Sequence, residues 1–324
     1  MSAKTESLID LRDPRPVAGD LDVRGPRPVP GDLDVRWIHG APGEPPLQAH
    51  HYAEHTVILR QGKAVNYEAP FLYLLFGEER ALLLDTGATE DPAAFPLRAT
   101  VDRLVAEWLE RHPRAGYQLV VAHTHGHHDH VAADPQFADR PDTTVVPRDA
   151  EAVRAFFGFE EWPNGTATLD LGGRVLEILG TPGHHEASIT VYDPWTGILL
   201  TGDTVLPGRV FVFDPAGFRA SLDRLLAFAE HRTVTHVLGC HVELTTRRGR
   251  LYPIGAGYQP RERALAMTLG QVAALRDAAA AITGKRGVFR HPDFVIYQEP
   301  QRRHLVGLLV RGRAYQLRAR LGWR

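Results

Sequence analysis

Five histidines fall within eight residues, at His123, His125, His127, His128 and His130, directly behind the short apolar stretch Gln118–Ala122. An even spread of the 17 histidines over 324 residues would put only about 0.4 in such a window. An apolar run of this length reads as a strand, so the cluster is presented at a strand end. His125 and His127 are two apart and project to the same side of extended backbone, while Asp129 and His130 begin the next turn. Imidazole and carboxylate suit zinc and related borderline ions, and the segment holds more such groups than one ion takes, so a second metal is implied. A solvated His-rich loop is the plainer alternative.

The rest of the chain argues against that alternative, because the same form recurs. Thr181-Pro-Gly-His184 follows an apolar strand over 175–179, Thr201-Gly-Asp203 follows 198–200, and Gly239-Cys-His241 follows 234–238. Upstream, Leu82-Leu-Leu-Asp-Thr-Gly87 supplies Asp85 in the same way. Further strands are expected over 35–39, 56–60, 71–76, 80–85, 167–169, 174–179, 188–192 and 197–201, between Gly and Pro punctuation. Apolar spacing predicts helices over 100–110, 148–157, 218–230 and, rich in alanine, 264–282. Two strand-and-helix halves suggest a sandwich of two sheets with helices outside.

These separated residues, in this order, resemble the metallo-β-lactamase-fold hydrolases, whose His-x-His-x-Asp-His motif matches His125 to His130. The resemblance runs from about Asp85 to His241. It implies an α/β fold, an αββα sandwich of two mixed sheets flanked by helices, in a single domain over 37–324 with a C-terminal helix and strands. It further implies a dinuclear site: His125, His127 and His184 on one metal, Asp129, His130 and His241 on the other, Asp203 bridging. Zinc is the expected ion, with iron or manganese as alternatives. Asp85 is then expected to orient the ligand loop by accepting hydrogen bonds. His127 stands where flavodiiron relatives carry Glu, and Asp203 where the main zinc β-lactamases use Cys, so redox chemistry and antibiotic hydrolysis are disfavoured. Cys240, an apolar strand-end thiol, reads as packing rather than as a ligand.

Two metals sharing a water bring its pKa toward neutrality, which leads to hydrolysis by a metal-bridged hydroxide. Asp129 is the candidate to orient that water and receive its proton. An ester, lactone, thioester or related acyl bond is the first expectation for this dinuclear hydrolase. Phosphodiester cleavage on nucleotides or RNA is the alternative. The 19 residues from His184 to Asp203 leave no room there for the inserted domain of one nuclease branch. A mononuclear iron dioxygenase acting on sulfur compounds is a third reading, distinguished by its metal count. Past the last ligand, Arg247, Arg248, Arg250, Tyr252 and Tyr258 are expected in a loop near the metal edge. With His185 they are candidates to contact substrate.

Composition bounds these readings. Thirty-seven basic against 39 acidic residues give a formal charge of −2, so no broad cationic field favours nucleic acid or an anionic membrane. The single cysteine forms no internal disulfide, and the first residues lack an apolar leader, so a cytoplasmic protein acting on a small molecule is expected. No apolar run approaches the roughly 20 residues that cross a bilayer, and the oligomeric state is left open. Residues 1–36 carry a tandem duplication: Pro14-Arg-Pro-Val17 and Gly19-Asp-Leu-Asp-Val-Arg24 recur 12 positions later. The Pro, Gly and charge content suits an extended arm.

Overall fold

Strands apolar on both faces must be covered on both sides, and all six side chains of 71–76 are apolar and buried. A computed structural model, describing residues 28–320, shows how the chain meets that demand. The first sheet is built in the order β1 (Leu47–Ala53), β2 (Thr56–Gln61), β3 (Phe71–Phe76), β4 (Arg80–Leu84), β5 (Gln118–Ala122), β6 (Thr143–Val145). It is antiparallel as far as β4 and parallel from β4 to β6. The second has the order β13 (Ala266–Met267), β12 (His236–Gly239), β10 (Ile198–Gly202), β9 (Ile189–Asp193), β8 (Val175–Gly180), β7 (Thr166–Asp170), with only β10 and β12 parallel. A small third sheet places β15 (Val295–Gln298) between β11 (Arg209–Val212) and β14 (Gly287–Arg290).

Period-two alternation sorts each strand's side chains to two faces. Tyr73, Leu75, Leu82, Leu84 and Val120 meet Ile178, Val191, Ile198 and Leu200 in one buried cluster between the large sheets. The opposite face of the first sheet, through Leu72, Leu74, Leu83 and Val121, packs on Val101, Leu104 and Trp108 of α1 (Leu97–Arg111). On the second sheet Leu179, Leu199 and Val237 lie under Phe218 and Leu222 of α4 (Pro215–Ala229) and Val272 and Leu275 of α5 (Leu269–Ala281). The expected αββα sandwich is thus present. Arg174, fully buried, ties the layers together. Its guanidinium forks onto Asp193 and donates to His55 O, Phe76 O and Thr56 Oγ1. Short helices α2 (His128–Val131) and α3 (Ala150–Phe157), a 3-10 turn over Asp134–Phe137 and the long α6 (Arg302–Arg320) complete the described elements.

Two expectations need correction. Residues 35–39 form no strand. The Gln48 side chain accepts from Ile38 N at 2.7 Å and donates to Arg36 O at 3.1 Å, replacing a backbone ladder. The alanine-rich helix begins at Leu269 rather than 264, because Ala266–Met267 pairs with β12 and Thr268 caps the helix in a reciprocal box with Gln271. Of the duplicated arm, residues 1–27 lie outside the described residues. The described remainder packs on the body, with Val29 N bonding Trp195 O and Asp32 N bonding Tyr52 O. No helix among the described residues is long and apolar enough to cross a membrane.

Candidate metal centre

Five strands deliver the site from their C-terminal ends. β4 leads to Asp85, β5 runs into His123–His127, and β8, β10 and β12 lead to His184, Asp203 and His241. β8, β10 and β12 share one direction, since β9 separates β8 from β10 by two antiparallel steps, so their ends gather at one edge. Gly202 makes the closest approach possible. It has φ +53°, and a Cβ there would lie 2.6 Å from Thr124 Cβ.

The ligand-type atoms converge as two groups, each within 4.8 Å: His125, His127 and His184, and Asp129, His130, Asp203 and His241. His127 Nδ1 stands 2.9 Å from His125 Nε2 and 3.0 Å from His184 Nε2. In the second group His241 Nε2 and His130 Nε2 approach Asp129 Oδ2 at 3.1 and 3.5 Å. Asp203 lies between the groups. Its Oδ2 is 3.7 Å from His184 Nε2, and its Oδ1 is 3.6 Å from His241 Nε2 and 3.8 Å from His130 Nε2.

Three of the five rings are anchored on the far side. His184 Nδ1 donates to Phe211 O at 2.8 Å, His241 Nδ1 to Glu68 O at 3.2 Å, and His130 Nδ1 to Asp85 Oδ2 at 2.9 Å. Each anchor directs the Nε2 lone pair inward, the arrangement of metal-bound histidine. Asp85 also accepts from Thr124 N at 2.7 Å and from the Cys240 thiol at 3.2 Å. It thereby holds the loop, its neighbour strand end and one imidazole at once. Burial pushes the Cys240 thiol well up, so it stays protonated and packs.

These residues fit a cation. His130 Nε2, His241 Nε2 and Asp203 Oδ1 are buried without a hydrogen-bond partner, a cost of about 1–3 kcal/mol each if nothing else binds them. Burial holds His125 and His127 below the ordinary imidazole range and His184 at about 3, which leaves them neutral and able to ligate. At His241 burial lowers the pKa, but Asp203 and Asp129 outweigh it and hold it at about 9. Burial raises Asp203, while at Asp129 the neighbouring His130 and His241 overcome burial and hold it low. The two carboxylates are thus pulled apart in acidity.

A cavity of about 240 Å³ opens over the cluster, reaching His127, Asp129, His184, Asp203 and His241 on one side and Tyr67, Glu68, Arg209, Phe213 and Glu243 on the other. His125 and His130 are buried beneath. His185 is not on the cavity wall; its ring lies 5.0 Å from that of His127, and its Nδ1 accepts from Ala187 N. The loop after His241 does close one side, but through Pro253, Ile254, Gly255 and Gln259. Arg247 and Arg248 are exposed, Arg248 facing Asp293 at 3.9 Å. Tyr252 OH accepts from Arg261 N, and Tyr258 packs on His39. His123 bonds Asp134 at 2.8 Å, and His128 is exposed. Sequence reasoning passed over Glu68, Arg209, Phe211, Phe213 and Glu243. A usable signal was the alternation Arg209-Val-Phe-Val-Phe213, which puts both phenylalanines on one side of extended backbone.

The model of the metallo-beta-lactamase superfamily matches residues 68–241, more than half of the chain. A hydroxyacylglutathione hydrolase of Synechococcus sp. (strain JA-2-3B'a(2-13)) is 33% identical over 188 residues, 56% of this chain and 71% of its own. The Brucella ovis protein of the same name is 26% identical over 231 residues, 64% of this chain and 88% of its own. Among solved structures, a metallo-beta-lactamase from Pontibacter korlensis superposes with a TM-score of 0.45 at 19% identity, covering 60% of this chain and 91% of that one.

Proposed function

Because this chain belongs to the metallo-beta-lactamase superfamily and is a metal-dependent hydrolase, we propose that it cleaves acyl thioesters at a centre of two divalent ions, zinc in both positions. The observation that carries the dinuclear reading is the convergence of seven ligand-type side chains in two groups, with three buried polar atoms of the second group left unbonded. The bond class rests on the hydroxyacylglutathione hydrolases it is similar to.

His125, His127 and His184 would hold one ion, and Asp129, His130 and His241 the other. Asp203, with an oxygen toward each group, would join them. When bound, the ions supply Lewis acidity, acidifying water toward neutral pH and polarising the acyl carbonyl. The chain does the rest. Asp85 and the carbonyls of Phe211 and Glu68 keep His130, His184 and His241 in one tautomer, and the cavity wall holds the acyl group over the cluster. Asp129, on the cavity side of the second group, receives the water proton at its carboxylate and returns it to the departing sulfur. Thioester and water thus become acid and thiol.

The test is thioester hydrolysis by protein stripped of metal and then reloaded. Activity restored by zinc, without oxygen uptake, is expected. Activity only with a single iron and with oxygen consumed would replace this reading by an oxygenase.

A further inference from the structure

Resting on that reading of the bond cleaved, we infer that the cavity selects an apolar, preferably aromatic, acyl group on an uncharged thiol, and not an anionic thiol carrier of the glutathione kind. Beyond the proposed ligands, the charged residues on the cavity wall are Glu68, Arg209 and Glu243. Arg209, the one cation among them, has both terminal nitrogens engaged. Its side chain is 3% exposed; Nη1 pairs with Glu243, and Nη2 donates to Tyr252 O. Glu243 also takes Arg209 N at 2.6 Å. The wall therefore offers a carboxylate-bearing ligand no free cation, and Glu68 faces it with like charge. A net anion such as glutathione would enter against repulsion and leave its carboxylates unpaired.

The apolar side is equally specific. Phe213 is 53% exposed and Tyr67 38%, two of the few large apolar side chains left in solvent among the described residues, and both border this cavity. Phe213 lies 5.8 Å from the His184 ring and parallel to Phe211, at 7° and 6.3 Å. Leu206 and Ile254 continue the wall. An exposed aromatic shelf beside a ligand histidine gains nothing in folding; a flat apolar group laid on it regains that burial.

The experiment compares N-acetylcysteamine thioesters of phenylacetate and acetate with S-lactoylglutathione on the zinc-loaded protein. The inference expects kcat/KM for the phenylacetyl ester to exceed that for S-lactoylglutathione by roughly tenfold or more, the scale of burying one aromatic group. Phe213→Ala should erase about that factor through KM for the phenylacetyl ester and cost the acetyl ester much less. Preference for S-lactoylglutathione, or equal loss on both acyl groups, overturns it. Calorimetry with non-hydrolysable thioethers separates the two readings. S-phenethyl-N-acetylcysteamine binding more tightly than S-methylglutathione, with the order lost in Phe213→Ala, supports this pocket even if no thioester is cleaved. That combination would overturn the thioester reading alone; the reverse binding order overturns the pocket.

Discussion

Asp129 approaches His241 and His130 with one carboxylate oxygen and lies at the cavity surface, whereas His130 behind it is wholly buried. A residue so placed can both ligate and exchange protons with substrate water. Asp129→Asn keeps the shape and loses the base. With metal occupancy restored, turnover is expected to fall by about 10² to 10⁴, the usual reach of general acid–base assistance. Kinetics and metal analysis on the same sample check it, and full turnover with full occupancy would leave Asp129 a positioning ligand. Asp85, His184, Asp203 and His241 were legible in the sequence because each follows an apolar run, and His125, His127, Asp129 and His130 because they crowd one short segment behind another. Arg209 and Phe213 were passed over, since the alternation from Arg209 to Phe213 marks a shared side of extended backbone but not the surface that side reaches. Only the third sheet, which pairs β11 with β15, brings them to the cavity.

Strand ends and tight turns position the site, so the elements are sensitive where they touch. Gly202 closes β10 in the left-handed region against Thr124, whose hydroxyl and amide both bond Asp85. Gly202→Ala should strain that turn, displace Asp203 and the ligand loop together, and weaken zinc binding by roughly 10- to 100-fold, the range for lost support of metal ligands. Competition with a chromogenic chelator measures it; unchanged affinity would mean that the two loops are independent. At this scale most strands of the two large sheets were readable as short apolar runs between Gly and Pro, and α1 and α4 from helical spacing. β6, β11 and β13 were not. They are two to four residues long, too short to show a period, and exist because a neighbour pairs with them.

Across the whole molecule, buried charge sets how stability responds to pH. Lys63 is buried beside Arg60, which already forks onto Glu262 at 2.6 and 2.7 Å, while Lys63 Nζ reaches that carboxylate only at 3.4 Å. Burial, helped by Arg60, lowers the Lys63 ammonium from 10.5 to about 8. Below pH 8 both folded and unfolded chains hold the proton, and folding bears the full cost of burying the charge. Between about 8 and 10.5 the unfolded chain binds more protons, so stability should rise with pH over that window. The rise could reach about 3 kcal/mol at most. Lys63→Met should flatten this rise and stabilise the protein at pH 7; urea unfolding of both proteins at pH 7 to 10 checks it. Destabilisation of the variant at pH 7 would show instead that the attraction to Glu262 prevails. The central claim, a pair of ions joined by Asp203, is tested most directly by titrating zinc into metal-free protein while recording bound metal and thioesterase activity. Two zinc ions per chain at full activity are expected, with Asp203→Ala still folded but unable to hold the second or turn over. Full activity at one ion per chain, or an active Asp203→Ala protein, would contradict it.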